Sequence, residues 1–456
     1  MDAISFGTDG WRATLDVFTS ERVRMVAQAT ADYLENQGRG GETVTVGYDA
    51  RETSPGFAED IADVLAANGF DVLLPERDCP TPLVSYAVAD RGLAGALVVT
   101  ASHNPPEYNG VKFLPDDGAP ALPAVTEAIE SNLREPVDGD GGGEVRRVDF
   151  VAPHREHCLD LVDADLDGLT VVYDAMHGSG RGVTDDLLER AGADVVRERC
   201  GRDPDFGGTN PEPGEANLQR LAMAVDEHDA DFGVANDGDA DRVAVVTPDR
   251  GVLDGNRFFA LAYDYLLEDD SGPAVRTVST TFLVDRLADA HGCEVVETPV
   301  GFKWVAAAVG EHDALFGGEE SGGYTMRGHV RQKDGVLMAL LAAAAASERD
   351  LDDRLDDIAA EHGDIHQDKV SVDCPNDRKA HVLDALEAEL PDAVAGVDVE
   401  DVNDTDGFKI LLADGTWLLV RPSGTEPKLR VYAEADSESR VRDLLDAGRD
   451  LVEPLV

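Results

Sequence analysis

The chain has 456 residues, 43% of them hydrophobic, with 92 acidic against 39 basic side chains and a formal net charge of −53. The charge is spread along the whole sequence and the apolar content is that of a folded protein, which excludes a disordered chain and an acidic tail. Phosphate would be repelled, which argues against nucleic acid as a partner.

At molar salt the screening length falls to about 3 Å. A surface that repels itself then becomes tolerable, so the charge balance predicts the cytoplasm of a salt-accumulating organism. The five cysteines, Cys79, Cys158, Cys200, Cys293 and Cys374, are far apart and form no CxxC pair. They read as reduced thiols of a cytosol. Residues Met1 to Phe6 have no basic region and no apolar stretch of signal length. The longest apolar run, Leu337 to Ala346, is too short to span a bilayer. The pairs His154/His157 and His362/His366 lack a third ligand nearby in sequence and read as surface residues. Of only seven lysines, Lys112, Lys303, Lys333 and Lys428 lie in or beside candidate sites, while Lys369, Lys379 and Lys409 have no evident role.

In chain order, the first unit is the strand-like Val44 to Asp49, the helix-like Phe57 to Asn68, a glycine stop at Gly69 and the strand-like Phe70 to Leu74. The apolar run Leu93 to Val99 then reads as a buried strand that delivers Thr100-Ala101-Ser102-His103-Asn104-Pro105 to its end. Asn104-Pro105-Pro106 prevents a helix there. His103 and Asn104 can donate to an anion, a setting that suits a serine carrying a phosphoryl group. The stretch Val137-Asp138-Gly139-Asp140-Gly141-Gly142-Gly143 reads as a flexible joint.

A second unit, Leu169 to Asp174, Val183 to Arg190 and Gly192 to Val196, repeats the pattern. It is followed by Asp237-Gly238-Asp239-Ala240-Asp241-Arg242 between two strand-like runs. In an extended loop, residues two apart point the same way, so Asp237, Asp239 and Asp241 can converge on one hard cation, and an all-oxygen set suits magnesium. An EF-hand loop needs Gly at its sixth and Glu at its twelfth position; Arg242 and Pro248 stand there.

A third unit runs from Val275 to Ser279, through Phe282 to Ala290, to Gly292-Cys293-Glu294-Val295-Val296. Strand, helix, glycine, strand is a βαβ unit and predicts parallel sheets. Beyond it, Gly317-Gly318-Glu319-Glu320-Ser321-Gly322-Gly323 lets backbone approach a ligand, with Glu319 and Ser321 suited to sugar hydroxyls. The last part changes character, with a helix from Arg378 to Leu390 and paired strands around Phe408 to Leu412 and Trp417 to Val420. There Arg421-Pro422-Ser423-Gly424-Thr425-Glu426-Pro427-Lys428-Leu429-Arg430 is locally cationic, and Arg421, Ser423, Gly424, Thr425 and Arg430 can cradle a phosphate. No nucleotide-binding P-loop, GxGxxG, GxSxG or HExxH motif occurs.

These four loops, with Phe6-Gly7-Thr8-Asp9-Gly10-Trp11-Arg12 at the N-terminus, resemble the motifs of the α-D-phosphohexomutase family, the phosphoglucomutases and phosphomannomutases, in the family's order and over nearly the whole chain. The resemblance implies an α/β fold of four domains around a central cleft. Three are similar α/β domains with mixed or parallel sheets, at 1–143, 144–249 and 250–367; the fourth is a smaller α+β domain at 368–456. It implies phosphoserine at Ser102, magnesium held by Ser102, Asp237, Asp239 and Asp241, and a hexose 1,6-bisphosphate as intermediate and activator. Arg12, His103 and Arg242 are expected to help at the transferred group. The expected partners are hexose phosphates, without nucleic acid or membrane, acting on a monomer or small homo-oligomer.

A base is needed for the attacking hydroxyl. Lys112 and, in Gly328-His329-Val330-Arg331-Gln332-Lys333-Asp334-Gly335, His329 and Lys333 are the candidates; in related glucomutases a lysine in a comparable phrase is implicated. Gly301-Phe302-Lys303-Trp304 resembles the glucose-handling loop of phosphoglucomutases, which favours glucose phosphates and makes Lys303 a substrate residue. Glucosamine mutases usually carry another phrase there and lack the Arg-x-Lys found after the Glu-x-Ser loop, so that substrate is expected less than mannose phosphates. A magnesium-dependent phosphatase and a non-catalytic sugar-phosphate sensor are the readings of other classes.

Overall fold

Each strand–helix–glycine–strand unit of the sequence folds as a parallel pair in the computed structural model, which describes residues 4–7, 9–137, 139, 141–424 and 426–456. Thr43–Tyr48 runs parallel to Asp71–Pro75, Thr170–Asp174 to Asp194–Glu198, and Ala274–Thr277 to Val295–Thr298. The connecting helices are Ser54–Ala67, Thr184–Arg190 and Leu283–His291. Gly69 and Gly292 stop the first and third at φ 87° and 68°, a left-handed turn that a side chain would strain.

In each of these sheets a third strand adds parallel to the first: Ala96–Val99, Phe232–Asn236 and Phe316–Glu319. The chain then folds straight back into an antiparallel partner, Tyr108–Leu114, Val243–Thr247 or Gly323–Met326. The sheets are therefore mixed, where the repeat alone predicted parallel ones. This reversal places three loops, at 100–107, 237–242 and 320–322, at one equivalent point of three sheets. That point is the carboxyl end of a parallel strand, where open α/β sheets bind ligands.

Two expectations change. The glycine-rich stretch at 137–143 is no flexible joint where it is described; Asp138 and Asp140 lie outside the described residues. A Cβ on Gly141 or Gly143 would come within 2.4 Å of the Ala67 carbonyl or 2.1 Å of the Phe70 carbonyl, so the backbone is packed down here. The next strand, Val145–Val148, still completes the first sheet, parallel to Asp71–Pro75. In the C-terminal part a six-stranded antiparallel sheet includes His366–Asp373 and Val397–Asn403, which the sequence reading missed. Their apolar alternation is too short to read: only Val370 and Val372 carry it in the first, and in the second Val397 and Val399 carry it until a bulge between Val399 and Asp401 breaks the register.

The apolar run around Leu337 to Ala346 lies within the helix Gly335–Glu348, buried from Gly335 to Ala345. It sits in one continuous apolar core that runs through the first three sheets. The C-terminal sheet has its own core under the helix Glu438–Val452. It meets the third sheet through a small patch of Val278, Trp417, Leu419 and Tyr432. No helix among the described residues is long and apolar enough to cross a membrane.

Candidate active site

Ser102 is fully buried and adopts φ 52°, an uncommon conformation for a residue with a side chain. Such a conformation persists only when its surroundings over-determine it. The Ser102 N–H donates to Thr100 Oγ1 at 2.8 Å, and its carbonyl accepts from Arg51 Nη2 at 2.9 Å. Arg51 also donates to the carbonyls of Asn104 at 2.7 Å, Pro105 at 2.6 Å and Tyr108 at 3.1 Å. Its Nε pairs with Asp49 Oδ2 at 3.0 Å, and Asp49 in turn accepts from Ser54 and Thr100. Only a rigid fork of guanidinium donors can gather four carbonyls in this way. Sequence reading missed Asp49 and Arg51 as site-builders. The available signal was a pair of charges directly after a buried strand, at the sheet edge where ligand loops cluster.

The Ser102 hydroxyl donates to Asp237 Oδ2 at 2.8 Å and lies 3.2 Å from His103 Nδ1. Asp237, Asp239 and Asp241 converge as the spacing predicted, each fully buried, with one oxygen apiece within 4.8 Å of the others. Asp239 Oδ2 accepts from Thr81 Oγ1 at 2.7 Å and Lys112 Nζ at 3.1 Å. Asp241 Oδ2 accepts from Lys112 and from Lys333, both at 3.0 Å. The second oxygens of Asp239 and Asp241 are buried with no partner among the described residues. A buried orphan carboxylate oxygen is expensive, and two of them beside the Asp237 carboxyl, around one point, fit a hard divalent cation. Burial, with Asp239 and Asp241 beside it, pushes the Asp237 carboxyl well above the usual range; a cation between the three would reverse that shift.

Cations balance these carboxylates. Burial opposes the charge on Lys112, but Asp239, Asp241 and Asp9 outweigh it and hold the ammonium protonated well above its ordinary range. Asp9, at 3.0 Å from Lys112 and 3.6 Å from Lys333, was quoted in the N-terminal phrase without a role and here bridges both lysines. Burial would raise its carboxyl, yet Lys112, Lys333 and Arg12 keep it well below the usual range. Arg12 donates to Asn104 Oδ1 and Asp9, both at 3.1 Å. The Arg242 backbone N–H caps Asp237 Oδ1 at 3.1 Å. The Nε atoms of Arg12 and Arg242 are both buried without a partner among the described residues, which leaves donors for an anion. Arg242, followed by burial and Arg12, drives the His103 pKa far down, so its imidazole is neutral.

The third loop brings Glu319 against the start of the helix Phe302–His312, where its carboxylate accepts the Gly301 N–H at 2.9 Å. Burial and the neighbouring Glu320 raise its pKa. Ser321 is exposed and Lys303 is half-buried, with burial lowering its pKa. The fourth loop joins the strands Trp417–Pro422 and Lys428–Ala435, which set Arg421 directly opposite Arg430. Arg421 pairs with Asp406 at 2.9 Å and Arg430 with Glu426 at 2.6 Å. Ser423 Oγ accepts the Glu426 N–H at 3.2 Å, and Gly424 is exposed at the tip. Thr425 lies outside the described residues.

His329 is not among the groups gathered around Ser102. Its Nε2 bonds Asp334 Oδ2 at 2.9 Å and its Nδ1 bonds His157 at 3.0 Å. His154, expected on the surface, is fully buried and lies 2.6 Å from the same Asp334 oxygen. His157 stacks on Tyr86, with ring centroids 4.7 Å apart. The third partner, missed in sequence, comes from a residue 180 positions away. The lysines without an evident role also find contacts. Lys409 lies between the Phe282 and Trp417 rings and bonds Glu297 at 2.9 Å. Lys369 covers the Tyr432 ring, and Lys379 bonds the backbone of the fourth loop.

By sequence the chain matches the phosphoglucomutase/phosphomannomutase family domain by domain. The alpha/beta/alpha domains I, II and III match residues 3–138, 149–251 and 254–362, and the C-terminal domain matches 370–451. It is 35% identical to a probable phosphoglucosamine mutase of Methanopyrus kandleri, over 98% of this chain and 97% of that one. It is 34% identical to a phosphoglucomutase/phosphomannomutase of Thermococcus kodakarensis, over 98% of each. The crystal structure of a putative phosphomannomutase from Thermus thermophilus superimposes with a TM-score of 0.86 at 33% identity, covering 99% of both chains. With the fold, the four domains and relatives along its whole length in agreement, the chain belongs to the α-D-phosphohexomutase (phosphoglucomutase/phosphomannomutase) family of isomerases.

Proposed function

We propose that the protein interconverts hexose 1-phosphate and hexose 6-phosphate through phosphorylated Ser102, with glucose phosphates as the preferred substrates. One observation carries this reading: the Ser102 hydroxyl lies 2.8 Å from a carboxylate of the three-aspartate cluster, beside two arginines whose buried Nε donors are unused. A nucleophile, a cation site and anion donors thus meet where the strand ends of two sheets face each other. Ser102, Asp237, Asp239 and Asp241 would hold magnesium, which supplies charge neutralisation for the phosphoryl group.

In the forward direction the bond between phosphorus and Ser102 Oγ breaks as one forms to the sugar O6, whose proton passes to a base. The resulting 1,6-bisphosphate turns over in the cleft. The bond between phosphorus and O1 then breaks, Ser102 regains a phosphoryl group, and O1 takes the proton. Arg12 and Arg242 bind the group in transit. A free hexose 1,6-bisphosphate would prime any unphosphorylated enzyme.

Of the groups near Ser102, His103 lies 3.2 Å from the hydroxyl, and we assign it the proton in the phosphorylated site, where a phosphoryl group would offset Arg242 and Arg12, which otherwise hold its basicity down. Lys112 is held as a cation by three carboxylates, Lys333 faces Asp241 and Asp9, and both act by charge. His329 is tied to Asp334 and His157 and acts through structure. Arg421, Ser423, Gly424, Thr425 and Arg430 would hold the phosphate that is not reacting, and Glu319, Ser321 and Lys303 the sugar.

A glucosamine substrate is the second reading, supported by the name of the Methanopyrus relative. Its C2 ammonium calls for a free carboxylate. Glu319 already accepts from Gly301, and Glu320 accepts from Ser279 Oγ at 2.8 Å. Lys303, in the loop before them, would repel an ammonium. These points favour a neutral C2 substituent.

Phosphorus NMR in molar KCl with magnesium tests the reading, with glucose, mannose or glucosamine 1-phosphate each supplied with a trace of its bisphosphate. Conversion to the 6-phosphate fastest with glucose is expected. Release of inorganic phosphate as the main product would replace the mutase with a phosphatase, and fastest conversion of glucosamine 1-phosphate would replace the sugar.

A further inference from the structure

Lys379 opens the helix Lys379–Ala388, and its ammonium donates to the carbonyls of Ser423 and Glu426, both at 2.6 Å. These carbonyls flank the tip of the phosphate loop. We propose that Lys379 is a positioning residue for that loop, fixing the backbone that receives the non-reacting phosphate without touching the phosphate itself. The inference rests on the phosphate-binding role proposed above for residues 421–430.

Three observations lead there. First, a trans peptide sets its N–H opposite its C=O, and no cis bond occurs among the described residues. With the Ser423 carbonyl drawn to Lys379, the Gly424 N–H must point to the other face of the turn, free to meet an anion. Second, the described residues on either side of the tip bond one another. The Ser423 N–H donates to the Lys428 carbonyl at 2.9 Å, the Lys428 N–H to the Glu426 carbonyl at 2.8 Å, and the Glu426 N–H to Ser423 Oγ at 3.2 Å. Lys379 thus anchors the turn from outside, through a side chain 44 residues distant from Ser423 in sequence. Third, the placement works against the helix it belongs to. A cation in the first helical turn opposes the macrodipole, and in a chain with only seven lysines this one is kept where local propensity disfavours it. An ammonium that grips two convergent carbonyls compensates for that, and it adds a positive charge beneath a loop that already carries Arg421, Lys428 and Arg430.

The test compares the full-length wild type with Lys379→Met, which keeps the apolar stem and removes both donors, and with Lys379→Arg. Mutase kinetics at saturating bisphosphate give kcat and KM for the hexose 1-phosphate, and competition with inorganic phosphate gives a Ki. Loss of two charge-assisted bonds should raise KM and the phosphate Ki in Lys379→Met by roughly 10- to 100-fold, with kcat within about 3-fold. Lys379→Arg should recover part of the affinity. Unchanged KM and Ki in Lys379→Met would overturn the proposal, as would a fall in kcat alone. Should Lys379→Met fail to fold, Lys379→Gln is read by the same criteria. Should the wild type show no mutase activity, the reading of function fails separately. Lys379 is then judged by thermal protection with inorganic phosphate: weaker protection in the variant than in the wild type supports the anchor, and equal protection overturns it.

Discussion

Ser102 Oγ and Asp237 Oδ2, 135 residues apart in sequence, are joined by a 2.8 Å hydrogen bond across the junction of the first two sheets. The proposed nucleophile and cation site therefore come from different domains, and their alignment depends on docking. Thr81 secures it, with its N–H on the Asp239 carbonyl at 2.9 Å and its hydroxyl on the Asp239 carboxylate at 2.7 Å. Ser102→Ala removes the group proposed to carry phosphate and leaves Arg421, Arg430 and the Glu319 loop intact. Turnover should fall by at least about 10⁴-fold, as when a covalent nucleophile is deleted, while calorimetric binding of glucose 1-phosphate stays within a few-fold of wild type. Full activity in Ser102→Ala would eliminate the phosphoserine route.

Lys112 is the counter-ion of the aspartate cluster, 3.1 Å from Asp239, 3.0 Å from Asp241 and only 3% exposed. Removing one partner of a buried ionic group costs about 3–5 kcal/mol because the others are left unpaired. Lys112→Met should therefore melt well below wild type in EDTA. Magnesium should restore more stability to the variant than it adds to the wild type, since Asp239 has then lost its ion-pair partner and Asp241 keeps Lys333 at 3.0 Å. Equal magnesium-dependent shifts in the two proteins would show that Lys112 and the metal do not share those carboxylates.

The parts of the molecule legible in sequence were those whose chemistry is local. Ser102, the Asp237–Asp241 spacing, the Glu319 loop and the Arg421–Arg430 loop each lie within one turn, so residue type and spacing carried the signal. The three βαβ units were equally local. The supports were hidden because each meets its partner across the fold. Arg51 serves carbonyls more than 50 residues away, His154 meets Asp334 180 positions on, and Lys379 meets a loop 44 positions on. The reversal into antiparallel strands was hidden too, since a buried antiparallel strand such as Tyr108–Leu114 reads like a parallel one when both faces are covered.

The histidine junction gives the protein an acid-sensitive seam. Tyr86, His154, His157 and Asp334 surround His329, and Cys158 lies against His154. Burial lowers the His329 pKa, and the bond to Asp334 offsets this only in part; burial also lowers that of His157. In the unfolded chain these imidazoles titrate near 6.5. The unfolded state then binds more protons below that pH, so stability is complete above about pH 6.5 and is lost as pH falls. The Asp334 carboxylate is held far below its usual range by His154 and His329 against the effect of burial. Its own contribution is lost only below about pH 4, where the unfolded carboxyl protonates. Denaturant melts should show stability declining from pH 7 to pH 5, with a shallower slope in His329→Gln. An identical slope in that variant would place the sensitivity elsewhere.

The surface predicts how salt acts. With 92 acidic against 39 basic residues, repulsion opposes the compact state at low ionic strength. The screening length shrinks from about 10 Å at 0.1 M to about 3 Å at 1 M. Pairs such as Arg51 and Asp49, each 1% exposed, lie beyond the reach of that screening, so the loss of surface repulsion should dominate. The melting temperature should climb steeply with KCl up to about 1 M and then flatten, because little repulsion remains once the screening length is shorter than the spacing of surface carboxylates. A linear rise continuing through 3 M would instead identify solute exclusion, which grows with concentration, as the cause. A flat response below 1 M would mean that the arginine–carboxylate pairs already absorb the charge. Magnesium is held at one fixed concentration throughout, so that occupancy of the aspartate cluster does not enter the comparison.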